Sequence, residues 1–151
     1  MSILEPYKIK MEIELPAVMQ KIKFPSEANN IRLVEKLVDE VCAEIGVNEE
    51  KYGNILIALT EAVNNAIHHG NLLNPKKLTT VQCKQINEKL TFLIKDEGVG
   101  FDYENLPDPT DPKNVEKPDG RGIYLMKHLS DEISFENNGS SIELSFELSA
   151  N

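Results

Sequence analysis

The sequence holds 151 residues, 40% hydrophobic and 27% charged, with a formal charge of −9 at pH 7. A chain of this length folds around one core without staples, so a single domain over residues 1–151 is expected. The acidic balance with no compensating basic run argues against a nucleic-acid partner, and no stretch approaches the roughly 20 apolar residues of a membrane span.

At the N-terminus, Met1 to Lys10 carries Glu5, Lys8 and Lys10 without an apolar block. It does not read as a signal peptide, and the cytoplasm is the expected compartment. Ile9, Met11, Ile13 and Leu15 alternate with charged residues up to Pro16, the period of a half-buried strand. Pro25-Ser26-Glu27 then reads as a helix start, after which Ile31, Val34, Leu37, Val38, Val41, Cys42 and Ile45 recur at helical spacing as far as Gly46. Asn48 is placed to cap a second helix, whose apolar face runs from Tyr52 to Ile67 and ends near Gly70. Strands over 78–86 and 90–95 are joined by a polar link at Asn87-Glu88-Lys89, which predicts a hairpin. Residues 101–119 lack apolar periodicity and hold four of the 8 prolines. Such a long loop in a compact domain is uncommon unless it acts, for instance as a lid over a ligand. Ile123, Leu125, Met126 and Leu129 predict a helix of about two turns behind Gly120-Arg-Gly122. Asn138-Gly139 predicts a two-residue turn between the last two strands. Helices first and strands later, without repeats, give an α+β two-layer sandwich: a mostly antiparallel sheet with helices on one face.

Three short motifs carry candidate chemistry. Glu61 and Asn65 stand four residues apart and so project from one helix face. The Asn65 carbonyl oxygen suits Mg²⁺, and Glu61 suits a proton acceptor for an attacking hydroxyl. Taken alone, the pair also fits the solvated side of an amphipathic helix. Asp96-Glu-Gly-Val-Gly100 follows an apolar strand, so a carboxylate ends the strand with Gly98 and Gly100 behind it. That arrangement suits an adenine amino group and a close backbone, or simply a tight turn. Gly120, Arg121 and Gly122 lead into a helix, where backbone N–H groups and the helix dipole favour phosphate, though a plain connection reads the same way. Neither a Walker loop nor a dinucleotide fingerprint is present.

In this order and spacing the motifs resemble the N, G1 and G2 boxes of the superfamily of gyrase, heat-shock chaperone, histidine kinase and mismatch-repair ATPases. EAVNNAIHHGN, DEGVGFD and GRGIYLMKHLSDEI look most like the anti-sigma-factor serine kinases. The resemblance spans Ser26 to Leu148 and implies a histidine-kinase-like, Bergerat-type ATPase fold. It also implies ATP and Mg²⁺ as cofactors, with Glu61 as base, Asn65 on Mg²⁺, Asp96 on adenine, and Gly98 and Gly100 shaping the adenine pocket. Gly120, Arg121 and Gly122 would lie against the phosphates, under a lid formed by residues 101–119. Such kinases bind a sigma factor, phosphorylate a serine of an antagonist protein, and commonly act as homodimers. Two departures are visible: Tyr124 stands where many superfamily members have glycine, and the lid region is acidic, with Asp102, Glu104, Asp108, Asp111, Glu116 and Asp119 against Lys113 and Lys117.

Other readings compete. A nucleotide-gated adaptor without transfer activity fits the same boxes. The catalytic half of a sensor histidine kinase is disfavoured, because these residues include no helical hairpin with a phosphoacceptor histidine. Adjacent His68 and His69 point about 100° apart on a helix and do not make a zinc pair, and His128 lacks a ligand set. Cys42 and Cys83 read as buried thiols, and Ser140 as a turn residue with a possible ligand contact.

Overall fold

The computed structural model describes residues 16–100 and 118–149. The expected Ile9–Leu15 strand and residues 101–117 of the expected lid lie outside them. In chain order the elements are β1 (Val18–Pro25), α1 (Ile31–Ile45), α2 (Glu49–Asn65), β2 (Leu78–Ile86), β3 (Lys89–Lys95), α3 (Pro118–Leu129), β4 (Glu132–Glu136) and β5 (Ser141–Glu147). The five strands make one sheet in the order β1-β2-β3-β5-β4, every neighbouring pair antiparallel. This is the α+β sandwich expected from the sequence.

The core follows from two periodicities meeting. Val81 and Cys83 of β2, Leu90, Phe92 and Ile94 of β3, and Ile142, Leu144 and Phe146 of β5 alternate onto one sheet face and are buried. The stripe Val34, Leu37, Val38, Val41 and Cys42 of α1 and the stripe Ile55, Ala58, Leu59, Ala62 and Val63 of α2 join the same core. Phe92 and Phe146 meet edge to face with ring centroids 6.1 Å apart. Burial pushes the Cys42 thiol up to about 11, with Asp39 adding to the rise, and the Cys83 thiol up to about 12. Both are buried free thiols, as expected.

Local signals decide where the helices start and stop. Gly46 closes α1 with φ 83, the left-handed cap that glycine adopts without a β-carbon penalty. Asn48 caps α2 by accepting the Lys51 N–H at 2.7 Å. Ser26, in contrast, does not cap α1. A 3-10 turn over Ala28–Asn30 intervenes, and the Ser26 hydroxyl is drawn inward to the Lys77 carbonyl at 2.8 Å.

Several boundaries differ from the sequence expectations. β1 was not expected, because Gln20 breaks the apolar alternation of Val18, Ile22 and Phe24; eight rungs of pairing with β2 override that weak local pattern. The β2–β3 link is two residues, since Lys89 already pairs with Ile86, and Asn87 supplies the positive φ of 56. The β4–β5 connection takes four residues rather than two: Glu136 pairs with Ser141, and Asn137, Asn138 and Gly139 all have positive φ. The last helix begins at Pro118, so the expected loop does not reach Asp119, and α3 spans 12 residues rather than two turns. Proline at a first helical position has φ preset and loses no hydrogen bond there, which explains the earlier start.

Candidate functional site

The polar side of α2 faces the start of α3. A β-carbon placed on Gly122 would stand 3.0 Å from Glu61 Oε2 and 3.8 Å from Asn65 Oδ1. The carboxylate and the carboxamide thus converge on one backbone position, as their four-residue spacing requires. Any side chain at 122 would occupy the space between them. Gly120, Arg121 and Gly122 were expected just ahead of the helix; they fall inside its first turns instead. Their neighbourhood still includes the backbone N–H groups that no earlier turn can satisfy. Gly122 is buried and the Arg121 side chain is exposed.

Past Asn65 the helix widens into a π turn over Ala66–Gly70, closed by the Asn71 N–H on the Ala66 carbonyl at 2.8 Å. Such turns often mark functional positions in helices. Here the π turn delivers Gly70 against the end of β3. A β-carbon on Gly70 would lie 2.3 Å from both Cγ and Oδ2 of Asp96. One on Gly98 would lie 2.1 Å from the Gly70 carbonyl oxygen. Two backbones therefore cross with a carboxylate held between them, a packing open only to glycine at both positions. Gly100, with φ +88, makes a third close approach, its β position 2.0 Å from the Asn138 carbonyl oxygen.

Asp96 itself is fixed from two sides. Its N–H donates to the Ser140 carbonyl at 2.9 Å, and its Oδ1 accepts the Gly98 N–H at 2.8 Å. The Ser140 hydroxyl is spent on the Asn137 carbonyl at 2.9 Å, so that residue contributes to the site through its backbone. Burial raises the Asp96 carboxyl above its ordinary value, opposed by the Gly98 N–H and by the charge of Lys77. The shift favours the protonated form in the folded protein, so its contribution to stability grows as pH falls through the raised value. For a donor such as an amino group on a base, the ionised carboxylate is the stronger acceptor. Affinity for such a ligand is therefore expected to fall on acidification, starting above the ordinary carboxylate value of 3.8. Titration of ligand affinity against pH in the wild type and in Asp96→Asn checks this; an identical acid limb in both would assign the effect elsewhere.

The structure brings the sequence candidates into two groups: Glu61 and Asn65 of α2 with Gly122 of α3, and Asp96 with Gly98, packed against Gly70 at the end of the π turn that follows α2. About five residues of helix separate Asn65 from Gly70, on the order of 7 Å along the axis. The sequence reading took Gly70 only as the end of the helix and gave Asn71 no role, although both stand in EAVNNAIHHGN. The donor set suits a hard cation: Asn65 offers one neutral oxygen of the kind that Mg²⁺ takes beside water and phosphate oxygens. Among the described residues no cluster of three or more His, Cys, Asp and Glu gathers as a metal cage. No helix among them is long and apolar enough to cross a membrane.

Residues 24–146 match the family model described as the histidine kinase-like ATPase domain. The chain is 26% identical over 119 residues to the serine-protein kinase RsbW of Bacillus cereus, covering 75% of this chain and 74% of that protein. To the RsbW of Staphylococcus epidermidis it is 26% identical over 132 residues, covering 82% and 83%. To an anti-sigma F factor of Clostridium novyi it is 26% identical over 129 residues, covering 81% and 89%. Among solved structures, the crystal structure of the RsbU and RsbW domains of a Mycobacterium tuberculosis protein superposes with a TM-score of 0.61 at 19% identity. That likeness of fold covers 90% of this chain and 34% of the other.

Proposed function

Because the chain belongs to the histidine kinase-like ATPase domain family, we propose that it is an ATP-dependent serine protein kinase of the anti-sigma-factor type. It would bind a sigma factor and phosphorylate a serine of an antagonist protein. The observation that carries this reading is the convergence of the Glu61 carboxylate and the Asn65 carboxamide on the buried backbone of Gly122. The names of the relatives support it, three of them serine-protein kinases or anti-sigma factors.

In this reading Asp96 accepts a hydrogen bond from the adenine amino group, and Gly70 and Gly98 keep side chains out of its way. Asn65 Oδ1 would hold Mg²⁺, which when bound neutralises charge on the phosphate oxygens. The backbone of the first turns of α3 faces the phosphates with its N–H groups. Glu61 orients the incoming serine hydroxyl and takes its proton while the oxygen bonds to the γ-phosphorus and the bond to the β-phosphate oxygen breaks, releasing ADP. Little covalent chemistry falls to the protein; positioning and charge stabilisation carry most of the rate.

The test uses γ-labelled ATP, Mg²⁺ and the antagonist recovered by affinity capture on this chain from its host. Label is expected on an antagonist serine, released as phosphate in alkali. A complex that forms normally with no transferred label would sink the kinase reading and favour a nucleotide-gated regulator.

A further inference from the structure

Directly after the π turn that follows α2 stands a carboxamide, the last residue of EAVNNAIHHGN, to which the sequence reading gave no role. Asn71 is fully buried and bonded at both ends. Its Nδ2 donates to Ser26 Oγ at 2.8 Å and to the Leu78 carbonyl at 3.0 Å, and its Oδ1 accepts the Glu97 N–H at 2.8 Å. Ser26 Oγ–H donates to the Lys77 carbonyl, which makes the Thr79 hydroxyl, 2.9 Å away, a donor to Ser26. The Glu97 carboxylate in turn accepts the Leu78 N–H. Asn71 thereby ties the residue next to Asp96 to the end of β1 and the start of β2, while the residue before it, Gly70, forms the wall against the Asp96 carboxylate.

We infer that Asn71 is a positioning residue for base recognition: through the Glu97 N–H it sets where the Asp96 carboxylate points, and so how strongly adenine is preferred over a base bearing a carbonyl in place of the amino group. This rests on the nucleotide-site reading above. Ser26 and Thr79 already close the β1–β2 junction, and the bond to Glu97 is the one that reaches the site. A buried acceptor lost beside a carboxylate frees that turn by the worth of a hydrogen bond, enough for about a tenfold change in a binding ratio.

The experiment measures dissociation constants of ATP and inosine triphosphate, with melting temperatures, for the wild type, Asn71→Ala and Ser26→Ala. The control removes the far end of the network and leaves the Asn71–Glu97 bond in place. Asn71→Ala is expected to reduce the preference for ATP by about tenfold, while Ser26→Ala lowers the melting temperature and keeps the preference. An unchanged preference in Asn71→Ala overturns the inference, and so does an equal loss in both variants, which would make Asn71 merely structural. If Asn71→Ala does not fold, Asn71→Leu, which fills similar space without an acceptor, is read by the same criteria. A wild type that binds neither nucleotide, or both equally, defeats the reading of the site itself and this inference with it.

Discussion

Glu61→Gln is expected to bind Mg·ATP as the wild type does and to transfer the γ-phosphoryl about 10² to 10⁴ times more slowly, roughly 3 to 5 kcal/mol of barrier. Glutamine keeps the shape of the side chain beside Gly122 and cannot take the proton of the serine hydroxyl. The effect should therefore fall on the chemical step and spare the ground state, lowering kcat and kcat/KM together. Single-turnover transfer at saturating ATP, set beside a nucleotide dissociation constant, separates the two. Wild-type transfer in this variant would remove Glu61 from the mechanism. A dissociation constant weakened in step with the rate would show that Glu61 holds ligand rather than activating the acceptor.

Gly70→Ala is expected to abolish nucleotide binding while leaving the chain folded. The new methyl group would sit 2.3 Å from Asp96 Cγ and Oδ2, far inside contact distance. The Gly70 segment has no room to retreat, because its carbonyl already lies where Gly98 would carry a β-carbon. The carboxylate must swing aside, and with it goes the acceptor for the adenine amino group. Saturation of the wild type at 100 times the dissociation constant should stabilise the fold by about 2.7 kcal/mol, several degrees in Tm. That shift should vanish in Gly70→Ala, at a cost to the unliganded fold of about 1 to 3 kcal/mol for overpacking. Gly53→Ala provides the contrast. Its β-carbon meets nothing within 4 Å in mid-helix, so it should gain about 1 kcal/mol and keep the nucleotide shift. A full ATP shift in Gly70→Ala would place the base away from Asp96.

Glu61 and Asn65 were legible because helical periodicity puts residues four apart on one face wherever the helix runs, and Asn48 and Gly46 bracket that helix by local chemistry. Asp96 was legible from an apolar strand ending in an acid and glycines. β1 was not, since Gln20 interrupts its alternation and its partner strand lies more than fifty residues onward. The hairpin turns were located but miscounted: Asn137, Asn138 and Gly139 all accept positive φ, and pairing register rather than turn preference decides how many residues the connection uses.

By itself the sequence determined which residue types are available and in what order: an acid and an amide one helical turn apart, an acid closing a strand, glycines before a helix, and the family to which that order belongs. Only the tertiary structure decided that Gly70 and Asn71 are part of the same site. Their roles depend on contacts with Asp96 and Gly98, some 26 residues away, and with Ser26, 45 residues back. Local propensity acts over a few neighbouring dihedrals, whereas the close crossing of two backbones and the satisfaction of a buried amide exist only after the sheet has closed on its helices.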